Sequence, residues 1–301
     1  MLDYRDIVDY VLLVFRKKNM APLNEGESIE IAHIVNEARS GGSVTAQAVS
    51  GTGGAGRAGV SDAALDLSHK NPFYSVMLES PLSAALEILA ADNGVHRVNV
   101  VNGEGRVAGI LSQSDVVRFL LGKRAVFEGV MGARLETLGL GQCAVLSVSS
   151  ESPVLDALQL MSANFISSVA VVDAVEGQLI GSISMTDIRF VFQHGRYHRL
   201  WMSCGQFLTL ALSQKGFEHA GNDQFPFFDA HPTSTMAHVL GKIVATKVHR
   251  IWVTEPHSQK LVGVVSLTDI IRTFQQRTGL DAAQCAQEAM RADELVADEE
   301  M

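Results

Sequence analysis

Three serine–aspartate pairs recur in one register along the 301 residues: Ser112 with Asp115, Ser184 with Asp187, and Ser266 with Asp269. A glycine, Gly109, Gly181 or Gly263, stands six residues before each aspartate. Upstream lies a second set, with Arg97 18 residues before Asp115, and Ser168 and Arg250 each 19 residues before Asp187 and Asp269. Two of these positions belong to basic pairs, His96-Arg97 and His249-Arg250, whereas the third is Ser167-Ser168. Arginine offers phosphate a planar fork of donors, and histidine adds a donor whose charge depends on pH and on the ligand. Each SxxD also reads as a helix start, whose amide groups favour an anion or a polar ligand group. The chemistry open to this set is binding. A nucleophile, a base and an orienting group do not occur together, and no GxSxG, HExxH or Walker loop is present.

Each of these features has a plainer reading. SxxD before an apolar run is a capping box, in which serine and the acidic side chain satisfy free amides at the helix start. The His-Arg pairs can be solvent-facing strand ends. Recurrence in one register, with matched strands upstream, favours ligand binding, and one segment can both cap a helix and hold a ligand.

The elements that must position these residues repeat with them. GVHRVNVVN (94–102), FISSVAVVD (165–173) and KVHRIWVTE (247–255) read as short strands, and turn-forming stretches after them predict hairpins with the glycine-containing strands. GILSQSDVVRFLL (109–121), GSISMTDIRFVFQ (181–193) and GVVSLTDIIRTFQ (263–275) carry each hairpin into a final helix. Before the hairpins, helical patterns begin near Pro81, Pro153 and Pro232, because proline at a helix start needs no amide donor. The unit is strand, helix, strand, strand, helix in about 50 residues, too small to bury its sheet alone, so units are expected to pair.

The opening MLDYRDIVDYVLLVF fits the end of the same unit, with Asp6 aligned to Asp115, so the sequence looks truncated at its start. The organisation expected is a remnant of unit one at 1–16, then a linker at 17–60 with a Gly/Ala/Ser-rich flexible loop. Unit two follows at 61–123, unit three at 144–193, a connector with a helix near LWMSCGQFLTLAL at 194–226, unit four at 227–278, and an acidic tail at 279–301. Residues 51–56 match GxGxxG, but no hydrophobic strand precedes them, so low complexity explains them better. His194, His198 and Cys204 read as parts of a basic connector, not as metal ligands.

Composition sets outer bounds. A chain 47% hydrophobic and 19% charged has the apolar material of a globular protein. A net charge of −9 argues against nucleic-acid binding, which rests on a basic face that neutralises phosphates. The three cysteines, Cys143, Cys204 and Cys285, are far apart and odd in number, which suits free thiols in a reducing compartment. No stretch reaches the roughly 18 to 20 apolar residues of a membrane span, and the start lacks a basic signal-peptide region. The expectation is a cytoplasmic or nuclear protein without membrane or nucleic-acid partners.

These blocks resemble CBS domains, of the cystathionine-β-synthase type, and the order of four units is similar to that of the gamma subunit of AMP-activated protein kinase. The resemblance implies an α/β (α+β) fold, with tandem CBS units paired into Bateman modules stacked as a disc; unit one would pair with two, and three with four. It implies nucleotide sites in clefts between paired units. By position, Asp6, Asp115, Asp187 and Asp269 match aspartates that hold ribose hydroxyls. His96, Arg97, His249 and Arg250 match basic residues that reach phosphates, and Ser168, Ser266 and Thr268 match hydroxyls near phosphate, with Ser112 and Ser184 as further candidates. Animal gamma subunits carry a basic residue where Asp115 stands, so that site is expected to be competent here. The function implied is a non-catalytic sensor of AMP, ADP or ATP that controls a protein kinase through catalytic and scaffold subunits, with no cofactor or metal of its own. Two other readings stand beside it: a scaffold with vestigial clefts, and a sensor of another adenosyl ligand such as S-adenosylmethionine.

Overall fold

The structure is a computed structural model that describes residues 8, 12, 74–91, 94–192, 196–218 and 225–277. Unit two contributes β1 (Ser75–Met77), α1 (Leu82–Ala90), β2 (Arg97–Val101), β3 (Val107–Ser112), α2 (Gln113–Gly122) and a short α3 (Glu128–Gly132). Unit three contributes β4 (Ser147–Ser149), α4 (Val154–Ala163), β5 (Ser168–Val172), β6 (Leu179–Ser184), a 3-10 turn (Met185–Ile188) and α5 (Arg189–Phe192). The connector holds a second 3-10 turn (Tyr197–Trp201) and α6 (Cys204–Glu218). Unit four contributes β7 (Asp229–Ala230), α7 (Met236–Thr246), β8 (Arg250–Thr254), β9 (Leu261–Ser266) and helical residues 267–277, called α8. The strand-helix-strand-strand-helix order read from the sequence is therefore the order built. Asp6, the linker at 17–60 and the tail at 279–301 lie outside the described residues.

Each unit carries a three-stranded sheet in which the first strand pairs parallel, and the third antiparallel, with the second. The register explains the 18- and 19-residue spacings. Arg97 faces Ser112, Ser168 faces Ser184, and Arg250 faces Ser266, so the upstream residue always lies beside the cap serine. The one-residue difference arises in the hairpin: its loop spans 102–106 in unit two but 173–178 and 255–260 in units three and four. Pro81 and Pro153 sit at the N-cap of α1 and α4, in extended conformation. Helix α7 departs from the pattern, starting at Thr235 and not at Pro232, because the Thr235 hydroxyl accepts from the His238 amide at 3.4 Å, a role proline cannot fill.

Pairing differs from the order along the chain. The described chain divides into two compact bodies, one of Asn71–Val145 with Phe227–Met301, the other of Met1–Lys70 with Leu146–Pro226. Units two and four therefore share a body, where units three and four had been expected together. Their helices supply the physical reason. Leu89, Val116 and Leu120 of unit two and Leu240, Ile243 and Phe274 of unit four belong to one continuous buried core. Phe127 packs edge-on against Phe274, with ring centroids 5.4 Å apart. Arg272 of α8 donates twice to the Ala90 carbonyl, at 3.1 and 2.9 Å, and Met236, Leu135 and Glu136 tie the stretch after α3 to the start of α7 through backbone hydrogen bonds. In the other body, α6 covers the sheet of unit three, and Val8 and Leu12, both helical, are buried in the same core as Met161, Ile183 and Phe207.

Candidate functional site

The site is built from the two ends that the hairpin register places together, the strand opening and the SxxD cap. Sharing one body brings both His-Arg pairs into one electrostatic neighbourhood. The His249 pKa is lowered, first by burial and then by Arg250, His96 and Arg97, although the residue keeps an exposed surface. Half-buried Arg250 has its guanidinium pushed down to about 10 by burial, with Asp269 acting in the opposite sense. His96 and Arg97 are exposed. Cations that disfavour one another's charge are stabilised by an anion set among them, which is the electrostatic property of a phosphate site.

All three capping boxes expected from SxxD form. In each, aspartate Oδ2 accepts both the serine amide and the serine hydroxyl, at 3.1 and 2.6 Å in unit two, 2.9 and 2.8 Å in unit three, and 2.8 and 2.6 Å in unit four. The hydroxyl protons of Ser112, Ser184 and Ser266 are thus committed to their own aspartates. Thr268, the second residue of α8, is a nearby hydroxyl that accepts from Gln113 Nε2 at 2.9 Å and keeps its own proton for another acceptor.

The second carboxylate oxygen separates the repeats. Asp115 Oδ1 meets Arg118 at 3.1 Å in an exposed pair, and its carboxyl is held below the usual range chiefly by the Ser112 hydroxyl, with the Ser112 amide and Arg118 adding to it. Asp187 is 3% exposed, and its Oδ1 takes Lys215 Nζ of α6 at 2.7 Å. No described residue bonds Oδ1 of Asp269, which lies close enough to act on Arg250. Unit three therefore presents a buried Ser168 where its siblings have arginine, and an aspartate already closed by a lysine. Units two and four hold the basic pairs and the two more open carboxylates.

Two residues escaped the sequence reading. Lys215 lies 28 residues from Asp187 in a different element, so no local pattern announces it. Gln113 carried a signal: its siblings at the same register position are Met185 and Leu267, both apolar. Its buried amide donates across the repeats from Nε2 to Thr268 Oγ1 at 2.9 Å, and within unit two its Oε1 accepts from His96 Nδ1 at 3.2 Å. A shallow groove lined by Gln142, Cys143, Pro232, Glu255 and Val262 lies in the same body and includes none of the site residues. Among the described residues, no cluster of His, Cys, Asp and Glu could hold a metal, and no helix is long and apolar enough to cross a membrane.

Comparison with known proteins agrees with the repeat pattern. The family model described as CBS domain matches residues 64–122, 142–194 and 226–276. Protein SDS23 of Kluyveromyces lactis is 36% identical over 234 residues, and Protein SDS23 of Yarrowia lipolytica is 34% identical over 310. These alignments cover 69% and 92% of this chain but 44% and 57% of those proteins, so the chain spans about half the length of the curated relatives it matches. The relatives by sequence include SDS23 and SDS24 proteins and not a kinase gamma subunit, and the likeness to the solved structures below is one of fold. A Methanocaldococcus jannaschii protein described as a candidate archaeal homolog of g-AMPK matches with a TM-score of 0.53 and 16% identity, over 67% of each chain. An uncharacterized conserved protein of Pyrococcus horikoshii matches with a TM-score of 0.51 and 21% identity, over 66% of this chain and 78% of that one.

Proposed function

Because the chain belongs to the CBS-domain family, with three matched copies of the motif, we propose that it is a non-catalytic regulatory protein that binds AMP, ADP or ATP between units two and four. The observation that carries this reading is the gathering of both His-Arg pairs, with Asp115 and Asp269, in one body. Phosphate would lie among His96, Arg97, His249 and Arg250, with Thr268 donating to it. Ribose hydroxyls would donate to Oδ1 of Asp269, or to Asp115 after Arg118 moves aside, which an exposed ion pair permits at small cost. A half-site at Ser168 and Asp187 would have to displace Lys215, so it ranks below. Asp6 is the equivalent position in unit one. Ligand occupancy would then act on a protein kinase of the AMP-activated type, through catalytic and scaffold subunits, in the cytoplasm or nucleus, by differential affinity between states.

Calorimetric titration and thermal melting with AMP, ADP, ATP, adenosine and S-adenosylmethionine test the reading. A ligand confined to the folded state at about 100 times its dissociation constant adds about 2.7 kcal/mol. Asp269→Ala should weaken every adenosyl ligand, whereas Arg250→Ala should weaken chiefly the phosphorylated ones. No response to any adenine nucleotide refutes it, and a response to S-adenosylmethionine that ignores Arg250 favours a different adenosyl ligand. Kinase control is tested by adding the protein to a purified AMP-activated-type kinase with and without nucleotide; activity unchanged in both removes that part.

A further inference from the structure

Gln113 opens α2, is 4% exposed, and has its amide engaged on both sides of the pairing of units two and four. Its Nε2 donates to the Leu89 carbonyl at 2.9 Å and to Thr268 Oγ1 at 2.9 Å, while Oε1 lies 3.2 Å from His96 Nδ1. The Leu89 carbonyl can only accept, so the amide nitrogen must face Leu89 and Thr268, and the amide oxygen must face His96. That oxygen can also only accept, so His96 Nδ1 is the donor and carries the proton of the neutral ring. The Gln113 backbone amide donates to the His96 carbonyl at 3.0 Å, which holds the histidine's main chain to the same residue. Thr268 Oγ1 accepts from Gln113, so its own proton must be directed elsewhere.

One buried side chain therefore sets the donor geometry of two phosphate-site candidates, one from each unit. Its siblings Met185 and Leu267 have no group that could do so. We propose that Gln113 is a positioning residue that couples the two half-sites and tunes them for a phosphorylated ligand. This rests on the nucleotide reading above. With Nδ1 given to Gln113, His96 can donate to phosphate only through Nε2, and only after taking a second proton from solvent or from the phosphate monoanion. His96 lies close enough to His249 for the two His-Arg pairs to share one electrostatic neighbourhood, so a phosphate at Nε2 would also meet the cations of unit four. Phosphate binding is then linked to proton uptake at His96, and adenosine binding is not.

The test uses the full chain labelled with nitrogen-15 at histidine. Long-range proton–nitrogen spectra without ligand, with His96 assigned by His96→Gln, should show the neutral ring protonated at Nδ1, and Gln113→Leu should lose that preference. Protonation at Nε2 in the wild type overturns the proposal whether or not nucleotide binds, so its failure is separable from failure of the functional reading. In calorimetry, Gln113→Leu should lower AMP affinity about tenfold and leave adenosine affinity unchanged. It should also flatten the rise in AMP affinity as pH falls. Equal losses for AMP and adenosine, or no loss for either, overturn it.

Discussion

The aligned glycines Gly109, Gly181 and Gly263 occupy one register position but meet three different surroundings, so alanine at each should give three different results. At Gly263 an added Cβ would overlap the carbonyl of Gly141 and lie 2.8 Å from its Cα. The obstacle is backbone and not the far end of a flexible side chain, so no rotamer change can clear it. Overpacking costs about 1 to 3 kcal/mol where side chains can adjust; with main chain as the obstacle, Gly263→Ala should cost about 3 kcal/mol or more. That corresponds to a melting-temperature drop of about 6 to 12 °C for a body of this size. At Gly181 the overlap is with the far end of Leu208, whose Cδ1 would lie 2.9 Å away, so a rotamer change limits the cost to about 1 to 2 kcal/mol. At Gly109 nothing lies within 4 Å. There alanine should stabilise slightly, by about 0.5 to 1 kcal/mol, because glycine in a strand interior loses more entropy on folding. Thermal and urea denaturation of the three full-length variants gives the ranking, and hydrogen exchange should show β8 and β9 losing protection in Gly263→Ala while β5 and β6 keep theirs. Gly109→Ala as damaging as Gly263→Ala, or Gly263→Ala melting like wild type, would refute the reasoning.

Further outcomes follow from the ion pairs and titrations. Lys215→Met strands the buried Asp187 carboxylate with only its serine donors and should cost about 2 kcal/mol, discounted because the lysine is partly exposed; Lys215→Arg should recover most of that in urea denaturation. Because the folded pKa of His249 lies below its ordinary value, the unfolded chain takes up this proton first as pH falls. Stability should therefore decline from about pH 6.5 down to the lowered folded value, and His249→Asn should flatten that slope in pH-dependent melting; an unchanged slope counts against the lowered His249 pKa, to which burial contributes first and the neighbouring cations second. Burial, with Asp156 nearby, pushes the Cys204 thiol up to about 12, whereas Cys143 is exposed. In a Cys285→Ser background, a thiol reagent at pH 8 should label Cys143 in the native protein and Cys204 only after unfolding, as read by peptide mass mapping.

Much of this architecture was legible in the residues, because it depends on neighbours in sequence. The 18- and 19-residue spacings encode hairpin register, SxxD encodes its own cap, and Pro81 and Pro153 mark helix starts. What escaped depends on partners far apart. Units two and four pair through Leu120, Leu240 and Phe274, apolar residues that each unit carries in some form, so their pattern says that a partner exists without saying which. Lys215 reaches Asp187 from a connector whose sequence has no counterpart in the repeat, and Gln113 meets Thr268 across 155 positions.

The aspartate of SxxD explains why one motif gives unequal sites. Its Oδ2 does the same structural work in all three units, accepting from the serine amide and hydroxyl, and this holds the cap whether or not a ligand exists. Oδ1 is left over by that arrangement, and its use depends on what the rest of the chain brings near: an arginine one turn on in unit two, a connector lysine in unit three, and no described hydrogen-bond donor in unit four. A capping role therefore preserves the motif in every copy, while the capacity to accept from a ligand can be closed in one copy without loss of the cap. Removing the closing cation tests that division. Arg118→Ala exposes Oδ1 of Asp115 at a cost of about 0.5 kcal/mol and should raise adenosine affinity at unit two by calorimetry. An unchanged affinity would mean that Oδ1 of Asp115 is not an acceptor for the ligand, and that Asp269 alone serves that role in this body.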